Sequence, residues 1–153
     1  MKKILIAVDD TKGSKATVPA FSRLFSCVRP ETVILLYVER FEGRSLLTDM
    51  LGDAEVSTLK EVLEGTEYKV ALDKKAEEII SSYKKALEDN GITGIKPLKK
   101  MGNPAEEILN AAKEEGADMI IIGSRGKRVS HLFMGSVSRE VANRAEIPVL
   151  IAR

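Results

Sequence analysis

The sequence predicts an α/β fold: one sheet of five parallel strands with helices on both faces. Three observations carry that prediction. Apolar, β-branched runs at 4–8 (ILIAV), 33–38 (VILLYV), 119–122 (MIII) and 149–152 (VLIA) lack the alternation of a half-exposed strand, as expected of strands covered on both sides. Stretches with apolar residues three and four apart separate them. Strand and helix therefore alternate along the chain, and that order implies a parallel sheet with right-handed crossovers. At 153 residues the simplest organisation is one domain over 1–153 with one sizeable core.

Taken in order, the first strand ends at Asp9-Asp10, and Asp-Asp-Thr-Lys-Gly-Ser is turn chemistry in which Thr11 or Ser14 can cap a helix. That helix directs Ala16, Val18, Ala20, Phe21, Leu24 and Phe25 to the core, with Pro19 in its first turns or marking a later start. The second strand follows the Arg29-Pro30-Glu31 turn. Residues 42–68 form an excursion longer than a tight connection, with short helices expected at 45–51 and 56–63 and glycines at 43, 52 and 65. Leu72, Ala76, Ile79, Ile80, Tyr83 and Leu87 then mark an amphipathic helix ending at Asn90-Gly91. A more polar third strand at 95–101 belongs near a sheet edge. Asn103 as N-cap, Pro104 at the first helical position and Glu106 and Glu107 in the first turn start the next helix, which buries Ile108, Leu109 and Ala112 and stops at Gly116.

Charge and composition exclude several functions. A net charge of +1 argues against nucleic acid or an anionic membrane as the main partner. Met1-Lys-Lys leads straight into a strand, and no apolar run is long enough to span a bilayer, so a cytoplasmic location is expected. Cys27 is the one cysteine, which rules out an internal disulfide and a cysteine metal cage; it reads as a small, half-buried hydrophobe.

The chemistry concentrates at 120–136 (IIIGSRGKRVSHLFMGS). An apolar strand stops at Gly123; Gly126 follows, then Gly135 and Ser136, and Arg125, Lys127 and Arg128 lie between with no acid among them. Glycines let backbone N–H groups approach an oxyanion closely. Ser136 reads as the N-cap of a helix through Val137 and Val141, whose free N–H groups and positive dipole end would point at the loop. The plainer alternative is a tight connection with a solvated basic face. Neither the P-loop spacing nor the dinucleotide G-x-G-x-x-G is present. Asp9, Val38 and Gly123 all fall at the carboxyl ends of strands, where parallel sheets bind ligands. That convergence points to a nucleotide.

The chain resembles the universal stress protein (UspA-like) family over essentially its whole length. The likeness rests on KKILIAVD, VILLYV, GNPAEEI and ADMIIIGSRG…GSVSREVANRAEIPVLIAR. It implies a Rossmann-like, adenine nucleotide alpha hydrolase-like fold with strand order 3-2-1-4-5. Members that bind ATP carry Gly-x2-Gly-x9-Gly-Ser/Thr, and Gly123, Gly126, Gly135 and Ser136 look like those positions. The resemblance implies ATP, or ADP or AMP, with Mg²⁺ possible through the phosphates. Asp9 would meet the ribose and adenine side and the backbone at Val38 the base. Ile122 and Val137 would flank the phosphate loop, with Arg125 as a counter-charge. It also implies a homodimer through Val149, Leu150, Ile151 and Ala152. One departure stands out: eight residues, 127–134, lie between the second and third glycines where the pattern has nine.

No catalytic set is legible. His131 is the one histidine, Ser124 and Ser136 lack a matching base, and Asp9 and Asp10 beside the phosphates are better read as a ribose acceptor and a turn residue than as Mg²⁺ ligands. Without an arginine finger, ATP hydrolysis should be slow at best. Three readings stay open: a nucleotide-dependent stress-response module, a dimeric interaction protein without nucleotide, and a weak ATPase.

Overall fold

A computed structural model describes residues 2–40, 58, 65–124 and 134–153. The two short helices expected within the excursion lie outside those residues except for Thr58, as do Arg125, Gly126 and His131. Among the described residues the elements run β1 (Lys3–Val8), α1 (Lys12–Lys15), α2 (Thr17–Leu24), β2 (Thr32–Glu39), α3 (Glu67–Asp89), β3 (Ile95–Met101), α4 (Pro104–Glu115), β4 (Met119–Gly123), α5 (Ser136–Arg144) and β5 (Val149–Ala152).

The sheet has the order β3-β2-β1-β4-β5, with every pair parallel. Ala7 sits opposite both Leu36 and Ile122, so β1 is central, and Gly123 pairs with Ala152 at the carboxyl end. The absence of alternation in the strands has a direct cause: their even and odd residues feed two separate cores. Ile4, Ile6, Val8, Val33 and Leu35 pack with Val18, Phe21 and Phe25 of the α2 region and Tyr83 and Leu87 of α3. Leu5, Ala7, Ile34, Leu36, Ile120 and Ile122 face α4 and α5 through Ala105, Ile108, Ala111, Ala112 and Val141. Each Leu or Ile so buried contributes about 1.5–3 kcal/mol.

The first helix departs from expectation. It is broken at Ala16 into α1 and α2. Pro19 has no N–H to donate back to Lys15, and its ring would crowd that carbonyl, so one continuous helix is disfavoured. Thr11 caps α1 by accepting from Ser14 N–H at 3.1 Å. Leu24, expected in the core, is 52% exposed at the end of α2, where Phe25 beside it takes the core position instead, and Cys27, beyond the helix, is exposed rather than half-buried. α4 follows its sequence signals: Asn103 Oδ1 accepts from Ala105 N–H at 3.0 Å, and Gly116 closes the helix with φ 63°.

Candidate functional site

With strands 3-2-1 running one way from the centre and 4-5 the other, the order reverses between β1 and β4. The crevice beyond their carboxyl ends is where a parallel sheet holds ligands. One wall is the β1–α1 turn. Asp9 N–H donates to Ser14 Oγ at 2.9 Å, and Asp9 Oδ1 accepts from Thr11 N–H at 2.8 Å. Thr17 Oγ1 donates to the Ser14 carbonyl at 2.7 Å, and Thr11, Ser14 and Thr17 are buried. A carboxylate offers about four acceptor positions, so the bond to Thr11 orients Asp9 and leaves it able to accept from a ligand.

The opposite wall begins at Gly123. A Cβ there would lie 2.5 Å from Gly13 C and O and 2.7 Å from Ser14 N. Gly123 is thus required by the close approach of the β1–α1 backbone, and it is absent from the glycines with positive φ. Ser124 N–H donates to the Ala152 carbonyl at 2.8 Å, and the Ser124 carbonyl accepts from Gly135 N–H, also at 2.8 Å. Ser138 Oγ donates to the Gly135 carbonyl (3.0 Å) and also lies 3.3 Å from the Ser124 carbonyl. Chain exit and chain return are therefore pinned together at the start of α5.

The N-cap of α5 is Gly135, extended at φ −61° and ψ 151°, and not Ser136, which is the first helical residue. Glycine is accepted at N-caps. Gly135 also has its N–H fixed by Ser124, while its carbonyl takes the first helical bond, from Arg139 N–H at 3.0 Å. Helix geometry leaves the N–H groups of Ser136, Val137 and Ser138 without intrahelical acceptors, and the positive end of the helix dipole lies there.

Asp9 directly follows β1, Ile122 and Gly123 end β4, Gly135 caps α5 and Ser136 and Val137 open it, and Val38 lies one strand out, next to Tyr37, which pairs with Val8. Arg125 and Gly126 fall in the stretch outside the described residues. Asp10 forms an ion pair with Lys75 at 3.2 Å, and among the described residues no three His, Cys, Asp or Glu side chains gather as a metal site.

Two features were missed from sequence. The Tyr83 hydroxyl of α3 donates to the Asp9 carbonyl at 3.0 Å and shares a hydrogen bond with Ser14 Oγ at 2.9 Å. Burial raises its pKa, with Asp9 and Asp10 adding to the rise against the Ser14 bond. In sequence Tyr83 is only one more apolar position of an amphipathic helix. The second feature is Glu39, 2% exposed at the end of β2, whose Oε2 lies 3.2 Å from Lys69 Nζ and 3.1 Å from Lys99 Nζ. Asp73 pairs with both lysines. Glu39 Oε1 is buried with no hydrogen-bond partner among the described residues. Desolvation lowers the Lys99 pKa against the pull of Glu39.

Fold and topology together define a parallel α/β protein with its switch point between β1 and β4. The chain belongs to the universal stress protein family, whose model matches residues 1–153. Universal stress protein MJ0577 of Methanocaldococcus jannaschii is 33% identical over 156 residues, covering 99% of this chain and 94% of its own. A solved structure of MJ0577 has a TM-score of 0.76 at 30% identity, with coverage of 99% and 94%. A family protein from Arabidopsis thaliana solved with AMP bound has a TM-score of 0.66 at 17% identity (99% and 91% covered). A universal stress protein solved with cAMP gives 0.67 at 21% (99% and 97%). At those identities the last two speak to the shared fold alone.

Proposed function

We propose that this protein is a single-domain cytoplasmic stress-response module that binds an adenine nucleotide, ATP first among them, between β1 and β4 and works as a homodimer paired through β5. The observation that carries the reading is that the end of β4 holds both the Asp9 turn, through Gly123 against Gly13, and the start of α5, through Ser124 and Gly135; the first offers a carboxylate to hydroxyl donors and the second free N–H groups to an anion. Membership of the universal stress protein family supports it, since one protein of that family has been solved with AMP and another with cAMP. In this reading Asp9 accepts from the ribose, and the Val38 backbone meets the base. Gly123, Gly126, Gly135, Ser136 and Arg125 hold the phosphates, flanked by Ile122 and Val137. Any Mg²⁺ is held through the phosphates. Catalysis is no part of the reading.

Equilibrium dialysis with labelled ATP and Mg²⁺, and with AMP in parallel, tests it. Saturable binding is expected, and Gly126→Val and Gly135→Val should abolish it while circular dichroism stays native. No binding at millimolar nucleotide by a folded protein would end the nucleotide reading and leave the dimeric interaction protein.

A further inference from the structure

The Asp9 turn is held from outside as well as from within. Its internal bonds run from Asp9 N–H to Ser14 Oγ and from Thr11 N–H to Asp9 Oδ1. Gly13 rests on Gly123 from the side of β4. From the other side comes Tyr83, 74 residues away in sequence, whose hydroxyl reaches both the Asp9 carbonyl and Ser14 Oγ. Tyr83 belongs to the core cluster that includes Val8 and is 8% exposed, so the hydroxyl is held where it stands. One phenol thereby joins both ends of the turn and ties them to α3. A loop carboxylate can serve a ligand only as well as its backbone is fixed, because a buried ring that carries the polar contact removes freedom that binding would otherwise have to freeze.

We infer that Tyr83 is a positioning residue for the nucleoside half of the ligand, acting through Asp9 and Ser14 without touching the ligand itself. The inference rests on the nucleotide reading above and deepens it. If the site works this way, the phosphate side and the nucleoside side are set by different parts of the fold. The Ser124–Gly135 bond belongs to β4 and α5; the Tyr83 bonds belong to β1 and α3.

Tyr83→Phe removes one oxygen and keeps the ring in place. Affinities of the wild type and this variant for ATP, AMP and inorganic tripolyphosphate, measured by titration calorimetry, form the test, with amide hydrogen exchange at Asp9, Thr11 and Ser14 read alongside. The variant should lose about three- to tenfold in affinity for ATP and for AMP by the same factor, since a single hydrogen bond is worth that order. Tripolyphosphate binding should not change, and exchange at the three amides should quicken. Equal nucleotide affinities in both proteins would overturn the inference and leave the nucleotide reading standing. A loss seen with ATP and tripolyphosphate but not AMP would overturn it too, by placing the effect at the phosphates. Unaltered exchange would show that the turn does not depend on Tyr83 at all. A wild type that binds neither nucleotide would remove both proposals together.

Discussion

At Gly123 a single hydrogen, in place of a methyl group, sets the distance between β4 and the β1–α1 turn. The atoms a Cβ would strike are main-chain atoms of Gly13 and Ser14, which cannot swing aside as a side chain can. Gly123→Ala should cost about 1–3 kcal/mol, as overpacking does, measured by urea denaturation; an unchanged midpoint would contradict the close approach. The sequence pointed to this glycine for its place after a strand, but the partner it makes room for could not be read, since Gly13 is 110 residues earlier. Glu39 was invisible for a related reason. An acid after VILLYV reads as a strand exit, and nothing local announces that Lys69 and Lys99 close over it. Glu39→Gln leaves both lysines with Asp73 as their acidic partner. Breaking a fully buried pair costs about 3–5 kcal/mol, and the partial exposure of both lysines reduces this to about 1–3 kcal/mol. Chemical denaturation would read the difference.

Among the elements, α4 was the most legible, because every terminal device is local: Asn103, Pro104 and Gly116 each act within a few residues. Asn103→Ala should lower stability by about 1 kcal/mol, visible as a lower melting temperature. α3 starts at Glu67, ahead of the Leu72 at which its apolar spacing begins, because Thr66 Oγ1 accepts from Lys69 N–H at 3.2 Å. The entry to β4 is joined to β1 by Asp118, whose Oδ2 accepts from the N–H groups of Lys2 (2.6 Å) and Lys3 (2.9 Å). Those bonds, Lys3 foremost, hold its carboxyl below the usual range. A depressed folded pKa gives stability that is present above the unfolded value, about pH 4, and is lost as pH falls through the lower folded value. Asp118→Asn should therefore melt below the wild type at pH 7, and the gap should narrow under about pH 4. A gap constant with pH would mean that the charge contributes nothing.

For the whole molecule, the two sheet edges are unlike. β3 carries Pro97, and its Lys96 and Lys100 are paired to Glu115 and Glu114 of α4, both at 2.7 Å. Proline and lysine discourage a second chain from adding to an edge. β5 reads VLIA and has no such guard. Ile120 N–H donates to the Pro148 carbonyl and Ser124 N–H to that of Ala152, so the intervening pleat turns the main-chain groups of Val149 and Ile151 away from β4. If copies pair here, Ile151→Pro should remove a donor from the outer edge, spare the β4–β5 ladder, and shift sedimentation from dimer to monomer. The layering was readable because apolar runs and helical spacing repeat along the whole chain, and the strand order came with the family resemblance, whereas the contacts that fix the crevice join residues far apart and leave no periodic trace.

The bond between Ser124 and Gly135 has a consequence for kinship within such proteins. Since departure and return are knotted to each other and to Ala152, the helix that follows takes its bearing from the sheet. The span between can lose or gain a residue at a closure cost that changes only slowly with length. Counting residues between the second and third glycines, eight in this chain, is then a poor measure of whether a site has been kept or abandoned. The better ruler is whether the knot survives.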